Sequence, residues 1–373
     1  MLVVGGGPAG STCAWQLRRA GLDVLVIDQQ SFPRDKICAG WITPAVVTSL
    51  ELDLADFAKK RVLQQIRGFR IGTIGGAAAD SRYDAAVSFA IRRCEFDHYL
   101  LRRSGARLAP GEPVKRIERD GAAWRVNARI STPLVIGAGG HFCPVARMLG
   151  LEPGGAHSGA QPIVVAQETE FRLPERALGE CGIERDMAQL YFCPDLKGYG
   201  WCVAKGDYLN VGLGREDSHR LPEHVEAFCA WLRQRGGIPR DLPGRLGGHA
   251  YLLYPESHRR LYGDGAILIG DAAGLAYPRS GEGIRPAVES ALMAARLVRD
   301  AAGDYSRTKL APYAERVVER FGSRMPGREA APWLPKGLKR SLAAKLLATR
   351  WFGRNVVIDR WFLHSRQRAM VAG

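Results

Sequence analysis

The opening segment constrains the fold most strongly, because three glycines follow an apolar strand in a Gly-x-Gly-x-x-Gly motif. The segment "LVV" precedes Gly5, Gly7 and Gly10, a helical stretch follows, and "VLVID" forms a second strand. Gly5 permits a tight turn, Gly7 lets the backbone approach a pyrophosphate, and Gly10 lets the helix pack closely on the strand. Asp28 ends the second strand, where a carboxylate can accept hydrogen bonds from a ribose. The motif predicts a dinucleotide-binding α/β domain, and the alternative is a glycine-rich turn without a ligand.

Length and composition are those of an enzyme with more than one domain. The 373 residues are enough for about two to three domains. No run of about 18 apolar residues occurs, so no transmembrane helix is expected. No secretory leader opens the sequence, and the eight cysteines form no CxxC or Cys/His cluster. We therefore expect a cytoplasmic protein with reduced thiols and no metal site.

A basic segment at residues 331–373 carries nine Lys and Arg residues against one acid, within a formal net charge of +15. Five large aromatic residues are interleaved with these charges: Trp333, Trp351, Phe352, Trp361 and Phe362. Trp and basic side chains favour the headgroup layer of an anionic membrane. Three interpretations stay open: a solvated helical region whose aromatic side chains pack on the protein, a helix at a membrane surface, and, as the least favoured, a nucleic-acid contact.

Strand patterns divide the chain into further parts. Residues 1–60, 90–150 and 260–300 hold helices and buried apolar strands such as "PLVIGAGG", and they predict one discontinuous nucleotide-binding domain. Residues 61–89 and 151–259 hold alternating strands with Gly and Pro between them, which is typical of an inserted antiparallel sheet. Residues 301–373 are predicted to be helical and basic.

A second glycine-rich segment, "GDAAGLAYPRSGEG", follows the last buried strand. Gly270 and Asp271 end that strand, and a carboxylate there can accept a hydrogen bond from a ribityl hydroxyl. Pro278, Gly281 and Gly283 then bring bare backbone to the start of a long helix. Because the amino end of a helix carries about half a positive charge, it could stabilise the anionic edge of a reduced flavin.

Four motifs in this order resemble the FAD-binding fold of para-hydroxybenzoate hydroxylase and, more closely, the geranylgeranyl reductase family of flavoproteins. Beside the first βαβ unit, "FPRDKICAG" is similar to the family's FPRxKxCGG segment, and "PRSGEGIRPAVESA" to its SGEGI helix start. The segment "PDLKGYGWCVAKGDYLNVGLG" is similar to its PxxYxWxFPKG and N-x-G-x-G motifs. The resemblance covers about residues 1–300. It implies a Rossmann-like FAD-binding domain with an inserted antiparallel-sheet substrate domain and a C-terminal helical tail.

FAD is therefore the expected cofactor, bound without a covalent link. Arg93 begins an RxxFDxxL segment that opens a predicted helix near the nucleotide. Arg34 and Lys36, in the loop after the second strand, are expected to reach ribose or phosphate groups of FAD. The alternative for Arg34 and Lys36 is that they are solvated loop charges.

The resemblance also points to residues at the substrate. It places Cys38 beside the flavin ring, where the thiol could protonate a substrate carbon. Tyr199 and Trp201 are two positions apart on a strand and share a face, which the resemblance makes a wall of an apolar substrate cavity. Ordinary packing is the alternative for all three, since a free cysteine usually behaves as a small buried hydrophobe.

The chain departs from the related motifs at three places. Val203 and Ala204 stand where the substrate motif has Phe and Pro, and Ala39 replaces a glycine of CGG. These two departures predict a cavity of different shape. The segment GAGG at residues 137–140 replaces the GADG of hydroxylase-type relatives, and the missing carboxylate argues against their way of handling NADPH.

Together these features predict an FAD-dependent oxidoreductase that reduces a carbon–carbon double bond of an apolar substrate, for which an isoprenoid is a candidate. A flavin-dependent monooxygenase acting on an aromatic ring is the alternative in the same site. A basic FAD-binding protein acting on nucleic acid is a third hypothesis. The electron donor stays open between NAD(P)H and a reduced carrier protein.

Overall fold

The computed structural model describes residues 1–151, 163–217, 219–240, 246–324 and 333–371. Residues 152–162, 218 and 241–245 of the predicted substrate domain lie outside the described residues, as do residues 325–332, 372 and 373 of the predicted helical region. Across the described ranges, none of the helices combines the length and the apolar character that a bilayer span requires.

Nineteen strands are present in the described parts of the chain. In order they are β1 (Leu2–Val4), β2 (Leu25–Asp28), β3 (Trp41–Ile42), β4 (Leu63–Ile66), β5 (Gly68–Thr73), β6 (Ala78–Arg82), β7 (Ser88–Ile91), β8 (Arg107–Pro110), β9 (Ile117–Asp120), β10 (Ala123–Val126), β11 (Ile130–Thr132), β12 (Val135–Gly137), β13 (Ile163–Arg172), β14 (Met187–Phe192), β15 (Gly198–Lys205), β16 (Tyr208–Arg215), β17 (Gly247–Leu252), β18 (Tyr262–Gly263) and β19 (Ala266–Leu268).

The α-helices of the same ranges lie between and after these strands. They are α1 (Pro8–Arg19), α2 (Pro44–Ser49), α3 (Leu54–Ala58), α4 (Arg93–Arg103), α5 (Pro144–Met148), α6 (Glu175–Glu180), α7 (Leu221–Gln234), α8 (Ile284–Asp300), α9 (Arg307–Leu310), α10 (Pro312–Phe321), α11 (Lys336–Leu347) and α12 (Arg350–Phe352). A π-helical segment, Gly353–Phe362, continues from α12.

A six-stranded sheet has the order β18-β19-β12-β1-β2-β8, and all of its pairs are parallel except β18 with β19. Leu2, Val3 and Ile136 are completely buried, as expected for parallel strands covered on both faces. Helix α1 begins after Gly7, with Pro8 in the first turn, where its missing N–H costs no hydrogen bond. The predicted Rossmann-like α/β fold is confirmed.

The larger sheet has seven strands in the order β17-β13-β16-β15-β14-β5-β6. Alternate residues of its central strand β15 point to opposite faces. Trp201 and Val203 pack on one face with the C-terminal segment, whereas Cys202 and Ala204 pack on the other face with α7. The sheet is thus buried on both sides and separates two apolar cores.

The inserted sheet is antiparallel as predicted except at one pair of strands, because β5 pairs with β14 in parallel. Strand β5 comes from residues 61–89 and joins the sheet beside a strand more than 100 positions later, so no local pattern determined its direction. Strand β4 from the same region pairs with β7 in a separate three-stranded sheet with β3. The predicted domain boundaries therefore stay a proposal.

The five aromatic residues of the basic C-terminal region divide into two groups. Phe362 is buried, and Phe352 and Trp361 are partly buried against the seven-stranded sheet. Trp333 and Trp351 are 79% and 68% exposed. Packing on the body of the protein thus explains three of the five aromatic residues.

Helix α1 and strand β1 approach so closely that only glycine fits between them. A Cβ atom on Gly10 would lie 1.9 Å from the carbonyl oxygen of Gly5. We expect Gly10→Ala to lower the free energy of unfolding by about 2 to 4 kcal/mol, because backbone must move to relieve the clash. Gly179→Ala is the control, because an added Cβ there meets nothing within 4 Å. Urea unfolding should show that it lowers the free energy of unfolding by no more than about 0.5 kcal/mol. Equal stabilities of the two variants would contradict the close approach.

Candidate active site

The glycine motif forms an open cradle at the amino end of α1. Gly5 adopts a φ of 111°, and the N–H of Gly6 donates to the Asp28 carboxylate at 2.7 Å. No side chain caps α1 at Gly7. A Cβ atom on Gly7 would lie 3.4 Å from Nη2 of Arg34, so this cation faces the cradle. Free N–H groups, the positive end of the α1 dipole and the Arg34 guanidinium therefore converge where a pyrophosphate would bind.

Two predicted cofactor residues, Arg34 and Arg93, share one buried carboxylate. Arg93 donates two hydrogen bonds of 2.8 Å to Asp97, and Nη2 of Arg34 lies 3.2 Å from the same side chain. Asp97 is fully buried, and Nη1 of Arg34 is buried without a hydrogen-bond partner. One carboxylate does not neutralise two guanidinium groups, so this cluster is suited to an anionic ligand.

Lys36 lies deeper in the same cleft. Its Nζ lies 2.7 Å from Nε2 of His249, which in turn lies 3.7 Å from the Asp271 carboxylate. Burial lowers the pKa of Lys36 to about 8, although the charge of Asp271 opposes this shift. Burial alone would raise the pKa of Asp271, but His249, Lys36 and Arg93 outweigh it and hold that pKa below its ordinary value. Thus neither Lys36 nor Arg34 is a solvated loop charge.

The second glycine-rich segment packs tightly at the start of α8. Gly270 and Gly281 adopt φ values of 60° and 65°, and a Cβ on Gly281 would lie 2.2 Å from the Tyr251 hydroxyl. A Cβ on Gly283 would lie 3.0 Å from Oδ1 of Asp271, which brings that carboxylate to the helix start. Pro278 lies in the wall of a neighbouring cavity. These residues leave backbone exposed to a ligand next to a helix amino end.

Glu282 lies near the end of this segment, directly before Gly283, and was not singled out from the sequence. Its Oε1 accepts a hydrogen bond from the N–H of Arg285 at 2.7 Å, and its Oε2 is buried without a partner. Burial raises the pKa of Glu282 to about 7. The glutamate can therefore hold a proton near neutral pH at the start of α8.

The peptide of Cys38 is held from both ends by the seven-stranded sheet. Its N–H donates to Oε1 of Glu168 at 2.6 Å. Its carbonyl oxygen lies 3.4 Å from Nζ of Lys205 and 3.5 Å from Nδ2 of Asn210. Because Glu168, Lys205 and Asn210 are all at most 4% exposed, these contacts fix the loop rigidly on the sheet.

A buried charge network supports this arrangement. Lys205 is completely buried and pairs with Glu170 at 2.7 Å, and Glu170 also accepts from Arg92 at 2.9 Å. Burial by itself would raise the pKa of Glu170, but Lys205 and Arg92 hold it below its ordinary value. Glu168 lacks such a direct ion pair, and its burial raises its pKa. The network therefore contains one firmly ionised carboxylate and one that is more readily protonated.

Tyr199, Trp201, Val203 and Lys205 occupy alternate positions of β15 and so share the face that meets the Cys38 loop. The rings of Tyr199 and Trp201 have centroids 6.1 Å apart. The Tyr199 hydroxyl donates to the carbonyl of Ser280 in the second glycine-rich segment. One end of this row thus touches the second glycine-rich segment, residues 270–283, which we call the flavin-side segment. The other end touches the Cys38 peptide.

The predicted site residues therefore lie in two groups. Gly5, Gly7, Gly10, Asp28, Arg34 and Arg93 surround the cradle, and Lys36, Cys38, Tyr199, Trp201, Gly270, Asp271, Pro278, Gly281 and Gly283 surround the cleft beyond it. Asp28 bonds to Gly6 and Gln30, and Arg93 bonds to Asp97. Both residues therefore hold protein groups in place, and their contact with the nucleotide stays a prediction.

Several functional residues were missed from the sequence. Lys205 and Asn210 lie inside the quoted substrate motif and could have been chosen from it. Glu168 and Glu170 are two acids on one face of a strand that begins with apolar residues, which is also a readable signal. Asp97 is the acid of the quoted RxxFDxxL segment, four positions after Arg93, and could also have been chosen. His249 gave no comparable signal, because its partner Lys36 is 213 positions away in the sequence.

These features fit a flavin dinucleotide. The glycine cradle has no room for a side chain at Gly10, the α1 amino end is uncapped, and Arg34 has an unpartnered buried nitrogen. A second helix start follows at Gly283, which has no side chain of its own although Glu282 accepts from the N–H of Arg285, and the ring end of the cofactor is expected there. The fold and the site together define a Rossmann-type flavoprotein oxidoreductase.

Comparisons with known proteins agree with this class. Residues 3–44 match the NAD(P)-binding Rossmann-like domain. The chain is 30% identical to geranylgeranyl diphosphate reductase of Rhodobacter capsulatus over 76% of this chain and 70% of the relative. It is 28% identical to digeranylgeranylglycerophospholipid reductase of Methanocaldococcus jannaschii over 86% of this chain and 82% of the relative. A solved geranylgeranyl bacteriochlorophyll reductase-like protein of Thermoplasma acidophilum has the same fold, with a TM-score of 0.71 and 22% identity over 93% of this chain and 87% of that chain.

The chain belongs to the geranylgeranyl reductase family. The prediction of an FAD-dependent oxidoreductase of this family is thereby confirmed, and FAD is the cofactor.

The unusual pKa of Lys36 leads to a test of the cofactor site. If the ammonium group contacts a phosphate of FAD, affinity should fall as pH rises through about 8, because the cation is then lost. We expect the FAD dissociation constant to rise about tenfold from pH 7 to pH 9 in the parent protein. Lys36→Met should bind about tenfold more weakly at pH 7 and lose this pH dependence. Fluorescence titration with FAD measures both effects.

The matched control is Lys197→Met, because Lys197 is an exposed lysine paired with Asp217. It should keep the affinity and pH profile of the parent. A pH profile that is the same in the parent and in Lys36→Met would remove Lys36 from the cofactor site.

Proposed function

We propose that this protein reduces carbon–carbon double bonds of a polyprenyl chain, with Cys38 as the proton donor. The observation that carries the proposal is the Cys38 peptide, which Glu168, Lys205 and Asn210 hold against the sheet face bearing Tyr199 and Trp201. The backbone of Cys38 is thus fixed beside the sheet face whose Tyr199 touches the flavin-side segment, and the side chain of Cys38 packs on the neighbouring apolar cluster that contains Ile91 and Ile284.

The chemistry needs a hydride and a proton on neighbouring carbons. Reduced FAD, when bound, supplies the hydride. The Sγ–H bond of Cys38 breaks as the proton passes to the adjacent carbon, the double bond becomes a single bond, and water then reprotonates the thiolate. Tyr199, which is only partly buried, orients the apolar chain, and Trp201 packs behind it in the apolar cluster that keeps water away from the reacting carbons.

Tyr199 is a poorer candidate for the proton donor. Its hydroxyl already donates to the carbonyl of Ser280, and burial raises its pKa well above the ordinary value for tyrosine. A phenol in that state releases a proton less readily than it would in water. Tyr199 is therefore assigned to substrate positioning, and Cys38 to proton transfer.

The substrate class rests on the relatives. Both named relatives act, by their names, on molecules with a geranylgeranyl chain, although one is a diphosphate and the other a glycerophospholipid. A polyprenyl chain is what the two share, and the apolar wall of β15 suits it. Val203, which stands where the related motif has Phe, is 1% exposed and packs with the C-terminal segment, so the expected difference in cavity shape stays a prediction.

Three further expectations belong to the same proposal: the electron donor, the place where the enzyme acts and the roles of the domains. The electron donor is NAD(P)H or a reduced carrier protein, and the enzyme acts at a membrane surface because polyprenyl chains partition into lipid. Residues 1–60, 90–150 and 260–300 act as the FAD domain, residues 61–89 and 151–259 as the substrate domain, and residues 301–373 as a helical region. Nucleic acid is not a partner in this scheme.

Replacement of Cys38 tests the assignment of the proton donor. Cys38→Ala should retain FAD and accept electrons, but it should slow anaerobic reoxidation of the reduced enzyme by a polyprenyl alkene about 100-fold or more. Cys38→Ser should keep only part of the parent rate, because a hydroxyl is a weaker acid than a thiol. Single-turnover absorbance of the flavin measures this step directly.

Cys181→Ala provides the matched control, since Cys181 follows α6 and is one of the free, partly exposed cysteines. It should react at the parent rate. A Cys38→Ala rate within about twofold of the parent would exclude the thiol, and Glu282 would become the next proton donor to examine. Loss of stability without loss of rate would make Cys38 a packing residue.

A further inference from the structure

The C-terminal region exposes an apolar face that the rest of the described chain does not cover. Leu338, Leu342 and Leu346 recur every four residues along α11 and are 56%, 49% and 37% exposed. Trp333 and Trp351, one before the helix and one after it, are 79% and 68% exposed. We call the exposed side of α11 that carries the three leucines the α11 face, and these two tryptophans flank it in the sequence. Large apolar side chains grouped in this way mark an interaction surface more often than an ordinary solvated helix.

The opposite side of the same helix is anchored on the protein. Leu347 is 3% exposed and packs with Val357, Ile358 and Phe362 on the seven-stranded sheet. The helix therefore has a fixed orientation, with one side on the sheet and the α11 face directed away from it.

The charge around the α11 face has one sign. Lys336, Arg340, Lys345 and Arg350 are exposed, and no acidic residue occurs in the sequence from 333 to 358. Tryptophan and basic residues around an apolar helical face match the chemistry of a lipid headgroup layer, in which acyl chains lie beneath anionic phosphates.

We propose that the α11 face docks on an anionic lipid bilayer, with Trp333 and Trp351 in the headgroup layer and the leucines in contact with acyl chains. The alternatives fit less well. A second copy of this chain would bring two basic surfaces together, and a nucleic acid would leave the leucines exposed to water.

Docking through the α11 face would bring a cavity of the enzyme close to its substrate, and this step rests on the proposed function. A cavity of about 500 Å³ lies between the flavin-side segment and the π-helical segment that follows α12. Its walls are Pro278, Arg279, Val356, Arg360, Trp361 and His364. Because the chain that docks on the bilayer continues into one wall of this cavity, docking holds the cavity entrance close to lipid-dissolved polyprenyl chains.

A double variant, Leu338→Glu with Leu342→Glu, tests the docking in the full-length holoenzyme. Sedimentation with vesicles of phosphatidylcholine and phosphatidylglycerol should show the parent bound, with release at high salt. The double variant should partition at least about tenfold less, because two charges replace apolar contacts. Val318→Glu is the matched control, since Val318 is a 46% exposed apolar residue on α10; it should bind as the parent does.

Two further readouts separate this proposal from the proposed function. The flavin spectrum and the anaerobic reoxidation by a short, water-soluble prenyl alcohol should be the same in the parent and the double variant. Brominated lipids should quench the tryptophan fluorescence of the parent, and less so that of Trp333→Phe with Trp351→Phe.

Equal sedimentation of parent and double variant would overturn the docking while leaving the reductase chemistry intact. The docking would also be overturned if the parent bound no vesicles but formed a concentration-dependent dimer that the two glutamates abolish. Failure of the reoxidation assay in every protein, with vesicle binding as expected, would instead count against the proposed function alone.

Discussion

The buried ion pair between Lys205 and Glu170 is the interaction on which the site depends. A completely buried ammonium is costly in a protein interior unless a carboxylate and further acceptors surround it. Lys205 meets this requirement with the carboxylate of Glu170 on strand β13 and with the carbonyl oxygen of Cys38 in the loop between β2 and β3. The same contacts that satisfy the charge therefore fix the Cys38 loop on the sheet face that bears Tyr199 and Trp201.

This arrangement explains why the polar and apolar parts of the site are separate. Arg34, Lys36 and Arg93 gather around Asp97 and Asp271 on the side where a dinucleotide is expected. Tyr199, Trp201 and Val203 present an apolar row on the other side. Charged groups can thus hold the cofactor without bringing water to the carbons that react.

Features that depend on neighbouring residues were predictable from the sequence. The glycine spacing predicted the strand–helix–strand unit, and the alternation along β15 placed Tyr199 and Trp201 on one face. Contacts between distant segments were not predictable in this way. Cys38 and Glu168 are 130 positions apart, Lys36 and His249 are 213 apart, and the parallel pairing of β5 with β14 has no local signature. The family resemblance supplied the location of Cys38, but only the tertiary structure shows what holds it.

Mass analysis of the product under strict exclusion of oxygen tests the central claim most directly. The holoenzyme, reduced chemically and mixed with a geranylgeranyl compound, should reoxidise and yield a product heavier by two hydrogen atoms for each double bond consumed. A reduced enzyme that the alkene does not reoxidise, or a product that forms only with oxygen and gains an oxygen atom, would contradict double-bond reduction and favour a monooxygenase.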